Sequence, residues 1–102
     1  MARILRRDPA IEDLVDIFTA AATRSQSLLE RRRAAIERTL HLLAENPGLG
    51  SRRLPDRPDV RVFPVEAYMI FYRPLAAGDG IDLLRIRPAS SDWLGSLDLP
   101  TP

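Results

Sequence analysis

The sequence predicts an α+β fold in which an N-terminal strand and an antiparallel helical hairpin precede a three-stranded antiparallel run, whose sheet packs on the hairpin. Three observations predict this plan. A short β-rich segment opens the chain, two segments with helical apolar spacing follow it together, and three β-rich segments follow one another in the second half. Helices grouped ahead of consecutive strands favour α+β over the alternating parallel arrangement.

The first strand and the first helix lie within residues 2–22. Ala2–Arg7 is the candidate strand. Asp8 and Pro9 then mark a helix start, because an Asp can cap free N–H groups and a Pro fits the first turn. Asp13 and Asp16 are expected to be solvated, since they lie off the apolar stripe of this helix. The stripe consists of Ile11, Leu14, Val15, Phe18 and Ala22.

A second helix is predicted from about Ser27 to Glu45, after a polar turn at Thr23–Ser27. Asn46–Gly48 ends this helix, and Leu49–Asp59 is expected to be an exposed loop. The single histidine, His41, is expected on the solvated rim of the helix. The inward face of the helix consists of Leu29, Ile36, Leu40 and Leu43.

Three strands are predicted in the second half, at Val60–Val65, Tyr68–Tyr72 and Ile81–Ile86. Pro64 cannot donate to a ladder, so the first of these strands is expected at an edge or a bulge. Glu66-Ala67 does not favour the positive-φ turns of tight hairpins, so we expect a loop longer than two residues there.

Length and composition bound the class of protein. A chain of 102 residues holds one core, so we assign residues 1–102 to a single domain and expect 93–102 to be a flexible tail. No apolar run reaches the roughly 18–20 residues that span a bilayer, and the N-terminus lacks the apolar stretch of a signal peptide. We therefore expect a cytoplasmic protein that does not bind membranes.

Charge and cysteine usage narrow the chemistry. The absence of cysteine excludes disulfides and thiolate metal sites, and we expect neither a metal nor a cofactor. All 15 basic residues are arginine, yet the net charge is only +1. A strongly basic balance usually marks a nucleic-acid-binding domain, so composition gives no global support for direct binding to nucleic acid.

Four short motifs occur in order along the chain. Residues 43–50 read LAENPGLG, 60–65 read VRVFPV, 68–74 read YMIFYRP and 80–86 read GIDLLRI. In this order, behind a helical hairpin, they resemble the RelE/ParE family of toxins from type II toxin–antitoxin systems, closer to its ParE branch. The resemblance covers about residues 2–93.

Two segments depart from the family pattern. One is the hairpin turn, where Glu66-Ala67 stands in place of a Gly with a small polar residue. The other follows the last strand. After its last strand the family usually has a His-Gly-Ala-Arg-Asp segment, and here Pro88–Asp92 stands in its place. Ala89 and Asp92 are retained, but the histidine and the arginine are not. This departure bears on activity more than on fold, so a member of the fold without toxicity is one alternative.

The resemblance implies either of two activities. RelE-like members cleave messenger RNA on the ribosome, and ParE-like members are associated with poisoning DNA gyrase and with plasmid stabilisation. A ribonuclease needs a base, an acid and cations on the phosphate, for which Arg61, Tyr72 and Arg85 are the candidates. Tyr68 and Tyr72 share one strand face, and core packing is the simpler explanation of that pair.

A surface for binding a partner or target is the favoured alternative. Arg85 and Arg87 share one strand face. If Arg61 and Arg73 point to the same face, the sheet carries a cationic cluster. The structural alternative is that these arginines form ion pairs with Asp79, Asp82 or Glu66. Arginine side chains stabilise negative charge but supply no base to remove a proton. This favours protein binding over RNA hydrolysis. The predicted binding residues are Arg61, Arg73, Arg85, Arg87, Asp92 and Trp93.

The resemblance also implies the partners. A cognate antitoxin, ParD-like or another small antitoxin, would wrap around the toxin, and DNA gyrase would be the target. The protein would contact nucleic acid only indirectly, through the antitoxin complex. The alternatives are a RelE-like, ribosome-dependent ribonuclease and a non-toxic member of the fold.

Overall fold

Six elements of secondary structure follow the predicted order of one strand, two helices and three strands. The computed structural model describes residues 2–91 and 97–102. The elements are β1 (Arg3–Arg6), α1 (Asp8–Arg24), α2 (Gln26–Glu45), β2 (Arg61–Val65), β3 (Tyr68–Pro74) and β4 (Gly80–Pro88). The predicted α+β class, with the sheet packed on the helical hairpin, is confirmed.

The strands form one sheet in the order β1-β4-β3-β2. The three C-terminal strands pair antiparallel, as predicted, whereas β1 lies parallel to β4. Gly80 permits this parallel pairing, because a Cβ atom there would collide with the carbonyl oxygen of Arg3. The pairing ends with Arg6 opposite Leu83, so no strand of the described residues lies beside the second half of β4 on that side.

Helix α1 docks through a different face from the one predicted. Its buried residues are Ala10, Asp13, Leu14, Ile17 and Ala21. Only Leu14 belongs to the predicted stripe, and Ile11 and Val15 are 44% and 57% exposed. The prediction was wrong because α1 carries apolar residues on two sides, and helical spacing alone fits either side. Asp13, which was expected to be solvated, is buried because its carboxylate has partners on β4.

The turn between the helices is tighter than the predicted Thr23–Ser27. Helix α1 runs to Arg24 and α2 begins at Gln26, so Ser25 alone separates them. The Ser25 hydroxyl oxygen accepts a hydrogen bond of 3.0 Å from the backbone N–H of Leu28. This bond satisfies one of the free donors at the start of α2, which lets the second helix begin without a longer connection.

The inward face of α2 follows the predicted spacing for most of its length. Ile36, Leu40 and Leu43 are at most 1% exposed. Leu29, predicted in the same face, is only half-buried, and its neighbour Leu28 takes the buried position. Among the described residues, no helix combines the length and the apolar character needed to cross a membrane.

The β2–β3 hairpin has a two-residue turn, which corrects the prediction of a longer loop at Glu66-Ala67. Val65 pairs directly with Tyr68 across the turn, and Glu66 adopts a positive φ of 52°. This conformation is unfavourable for a residue with a side chain, and the strand pairing on both sides of the turn offsets its cost. Pro64 lies on β2, an edge strand of the sheet, as predicted.

Apolar side chains pack on both faces of the sheet. The helices cover one face. The cluster on the other face consists of Leu54, Val60, Val62, Met69, Phe71 and Leu84. Leu97 and Leu99 pack against this second cluster, and the flexibility expected of residues 93–102 stays a prediction. The buried Leu54 shows that the predicted loop Leu49–Asp59 is not exposed throughout.

Candidate functional site

Arg61 is the first of the four arginines predicted to bind a partner, and it contacts the segment that follows α2. It lies on β2, and its Nη1 donates to the carbonyl oxygens of Gly50 at 2.6 Å and Gly48 at 3.3 Å. Its guanidinium therefore fixes the conformation of the chain between α2 and β2. This role takes up part of the hydrogen-bonding capacity that a partner would use.

Tyr72 lies directly opposite Arg61 in the strand register and holds the same segment. Its side chain is fully buried. Its hydroxyl donates to the carbonyl oxygen of Pro47 and accepts from the N–H of Gly50, both at 2.8 Å. A Cβ atom at Gly50 would lie 2.6 Å from this hydroxyl, so the position has room only for glycine. We call the group formed by Pro47, Gly50, Arg61 and Tyr72 the clasp.

Arg73 binds two carboxylates and the C-terminal segment. Its Nε donates to Asp82 at 3.2 Å, and its Nη1 donates to Asp59 at 3.3 Å and to the carbonyl oxygen of Thr101 at 3.0 Å. Arg7 donates to the same Asp82 at 2.8 Å. Burial opposes ionisation of Asp82, but the hydrogen bonds from Arg7 and Arg73 outweigh it and lower the pKa of this carboxyl. Arg73 is thus the centre of an internal charge network.

Arg85 forms a two-pronged ion pair with Asp13 of α1. Its Nε and Nη2 donate to the two carboxylate oxygens at 2.7 and 3.0 Å, and the Arg85 and Asp13 side chains are only 12% and 9% exposed. The same carboxylate accepts the backbone N–H of Ile86 at 3.0 Å. Asp13 therefore joins α1 to the half of β4 that lies beyond its pairing with β1.

Arg87 differs from the other three. Its side chain forms no hydrogen bond or ion pair within residues 2–91 and 97–102, and its Nε is buried without an acceptor. Together with Tyr68 and Asp16 it lines a notch of about 280 Å³ between α1 and the end of β4. Of the predicted binding arginines in the described part of the chain, this is the one whose side chain makes neither a hydrogen bond nor an ion pair.

The predicted cationic face is therefore mostly engaged within the chain. The structural alternative, pairing with carboxylates, describes Arg73 and Arg85, although Asp13 is a partner that the sequence did not suggest. The remaining two predicted residues, Asp92 and Trp93, lie outside the described residues. Whether these six residues form one partner surface stays a prediction.

The candidate catalytic residues occupy separate structural roles. Arg61 and Tyr72 belong to the clasp, and Arg85 belongs to the ion pair with α1. Burial raises the pKa of Tyr72, so its phenol stays protonated at neutral pH and is not available as a base. His41 is exposed on α2. Over residues 2–91 and 97–102, no three His, Asp or Glu side chains are grouped to hold a metal ion.

Sequence reasoning missed two features of this region. The first is the buried Asp13, whose position among apolar neighbours at helical spacing was the available signal. The second is the contact of Arg32 with Tyr68: Arg32 Nη1 donates to the Tyr68 hydroxyl at 2.9 Å, and the guanidinium lies 5.3 Å from the ring centre. Nothing local in the sequence signals this second contact, because 36 residues separate the two.

The chain matches a known protein family over most of its length. The ParE toxins of type II toxin–antitoxin systems (parDE) match residues 4–93. This chain belongs to the ParE toxin family. No curated protein matches the chain. As a member of that family it is the toxin component of a type II toxin–antitoxin system, and a cognate antitoxin is its partner.

In this ParE toxin, the motifs that carry the family resemblance meet in the clasp. Pro47 and Gly50 come from the segment after α2, Arg61 comes from the start of β2, and Tyr72 comes from β3. Three separate motifs thus contribute to one set of hydrogen bonds. The physical role of these residues is to hold the chain where it passes from the helices to the sheet.

Proposed function

We propose that this ParE toxin acts by binding a protein target, DNA gyrase, and that a cognate ParD-like antitoxin neutralises it in the cytoplasm. The observation that supports action by binding is the engagement of Arg61, Tyr72 and Arg85, on which a ribonuclease would depend. Each of the three is held by hydrogen bonds to other parts of the chain.

The chemistry of RNA cleavage supports the same choice. A ribonuclease that uses the RNA 2′-OH needs a base to remove its proton and an acid for the leaving oxygen. The Tyr72 hydroxyl is fully buried and makes two hydrogen bonds, so it cannot reach a substrate without opening the clasp. Arg61 and Arg85 can stabilise charge but do not accept protons at neutral pH.

The second apolar side of α1 is the surface that we assign to the antitoxin. Ile11 and Val15 are 44% and 57% exposed and lie one helical turn apart. Phe18, one turn further on, is partly buried beneath the guanidinium of Arg33, which lies 5.4 Å from the ring centre. An amphipathic segment that folds on binding would cover this stripe, gaining roughly 25 cal/mol per Å² of apolar area buried.

Induced expression in a growing bacterium tests the target. DNA integrity and transcript integrity are followed in the same culture. We expect growth arrest with DNA breakage and intact transcripts, because a gyrase poison does not cleave messenger RNA. Arrest with rapid transcript cleavage would instead establish the RelE-like ribonuclease. Normal growth would indicate a toxin in fold only, and the segment Pro88–Asp92 would be the first place to restore family residues.

Co-expression with the neighbouring antitoxin frame tests the docking surface. Val15→Glu places a charge in the exposed stripe and should weaken rescue of growth by the antitoxin, while arrest without antitoxin persists. Thr23→Glu adds the same charge at an exposed position of the same helix and should leave rescue intact. Equal rescue of both variants would show that the antitoxin binds elsewhere.

A further inference from the structure

Two buried side-chain nitrogen atoms lack a hydrogen-bond partner in the described part of the chain, the Nε of Arg32 and the Nε of Arg87. Folded proteins contain few such groups, because an unpaired buried donor loses its hydration without compensation. Both arginines adjoin Tyr68: Arg32 bonds to its hydroxyl, and Arg87 lines the same notch as Tyr68. Two unpaired donors therefore lie beside Tyr68, and this region lacks a hydrogen-bond acceptor for them.

The two arginines have different surroundings. Arg32 has a loose ion pair, since its Nε lies 3.9 Å from a Glu66 oxygen, too far for a hydrogen bond. Its Nη1 donates to the Tyr68 hydroxyl, which fixes the hydroxyl and leaves the hydroxyl proton available for donation. Arg87 has no internal partner among the described residues, so no bond restrains its guanidinium from turning towards a ligand.

The notch can admit one small anionic group. Its volume is about 280 Å³, and its walls include the apolar side chains of Ile17, Ala20 and Pro88. Asp13 also borders it, but the charge of Asp13 is matched by Arg85. Asp16 at the notch has no internal ion pair among the described residues.

We propose that Arg87 and Tyr68 bind a single carboxylate side chain of the antitoxin in this notch, with Arg32 positioning the Tyr68 hydroxyl. The inference rests on the proposed function, because it takes the antitoxin as the partner. The Arg87 guanidinium would supply the paired N–H donors that match a carboxylate. The Tyr68 hydroxyl would supply a further donor, strengthened by the charge of Arg32 behind it.

A carboxylate on an apolar stem suits the notch better than nucleic acid. The apolar walls would pack against the methylene groups of a glutamate, and the Arg87 guanidinium with the Tyr68 hydroxyl offers donors for one carboxylate. A nucleic-acid backbone carries a negative charge at every nucleotide and would bring further negative charges towards Asp16 and Asp13. The toxin's net charge of +1 gives such a backbone little general attraction.

The first experiment follows the arginine Nε–Hε resonances of labelled toxin by NMR. The probes are N-acetylglutamate α-amide, which carries one side-chain carboxylate, its uncharged glutamine counterpart, and inorganic phosphate, all at constant ionic strength. We expect the glutamate probe alone to shift the Arg87 resonance saturably at concentrations up to about 100 mM, since one contact supports only weak affinity. Arg87→Lys identifies the resonance, and the paired Arg73 serves as the internal control.

The second experiment measures dissociation of the toxin from the antitoxin encoded beside it. Arg87→Gln should weaken the complex about tenfold or more, and Tyr68→Phe should weaken it in the same direction. Arg52→Gln removes an exposed arginine from the loop before β2 and should leave affinity unchanged. Circular dichroism confirms that each variant is folded.

Several results would overturn the inference. The carboxylate site would be excluded if the Arg87 resonance did not shift with the glutamate probe, or shifted more with phosphate. A complex that forms with unchanged affinity after Arg87→Gln would place the antitoxin elsewhere while leaving the proposed function intact. Absence of growth arrest, in contrast, would count against the proposed function and not against the chemistry of the notch.

Discussion

Removing a single oxygen atom, by the substitution Tyr72→Phe, tests how the clasp holds the chain between the helices and the sheet. The ring of the phenylalanine fits the same buried space, so packing is preserved. Two backbone groups lose their partner: the N–H of Gly50 and the carbonyl oxygen of Pro47, each 2.8 Å from the tyrosine hydroxyl. The effect therefore reports hydrogen bonding and not cavity formation.

The expected magnitude follows from the burial of those two groups. A buried donor or acceptor left unpaired costs about 1–3 kcal/mol. The Gly50 N–H is in a buried environment and the Pro47 carbonyl in a part-buried one, so we expect a total loss of about 2–4 kcal/mol in the free energy of unfolding. With an unfolding entropy of about 0.2 kcal/mol/K for a chain of this length, Tm should fall by about 10–20 °C.

Urea unfolding followed by circular dichroism gives the free energy, with an unchanged slope showing that the same surface unfolds. Tyr68→Phe is the matched control: it removes the same atom from the same strand, where one hydrogen bond from Arg32 in a part-buried site is lost. That variant should lose less than about 1 kcal/mol. If both variants are equally stable, the clasp does not hold the chain as described.

Three further predictions concern other parts of the molecule. Asp13→Ala leaves a buried guanidinium unpaired and should cost about 3 kcal/mol or more by urea unfolding, whereas Asp16→Ala on the same helix should change stability by less than about 0.5 kcal/mol. The hydrogen bond from Arg57 holds the pKa of Asp59 at about 2; because this lies below the unfolded value of about 4, the stabilisation is complete above about pH 4 and is lost as pH falls towards 2. The stability advantage of the wild type over Asp59→Asn, about 1 kcal/mol after allowance for solvent screening, should therefore vanish across that window in a pH series. Leu99→Ala should expose the second apolar cluster, increase binding of a hydrophobic dye and lower stability by about 1–2 kcal/mol; unchanged dye binding would show that the C-terminal segment does not cover the sheet.

Much of the fold was predictable because each element carries a local signal. Pro9 marks the start of α1, Pro47 and Gly48 mark the end of α2, and Gly80 and Pro88 are the first and last residues of β4. The β-rich composition of β2, β3 and β4 distinguishes these strands from the helices before them. The docking face of α1 was not predictable, because its apolar residues occupy two sides. The side that docks on the sheet contains Asp13, whose burial is compensated by its partners on β4.

The candidate site was predictable only as a set of residues. Arg61, Arg73, Arg85 and Arg87 could be named from the strands that carry them, but their partners are remote in sequence: 72 residues separate Arg85 from Asp13. Pairing of this kind depends on the three-dimensional arrangement and leaves no periodic pattern. The sequence could not show which of the four arginines lacks an internal partner.

The contact of Asp13 with β4 also determines how other chains can meet this toxin. An exposed strand edge is a template on which another chain can add a strand, by partner binding or by aggregation. Here the carboxylate already holds the N–H of Ile86, and Pro88, two residues further on, has no N–H to offer. A strand arriving at this half of β4 would have to displace an acid that is also bonded to Arg85. At that edge the free toxin is therefore protected against self-association, and a partner arriving there must contact side chains instead of extending the sheet.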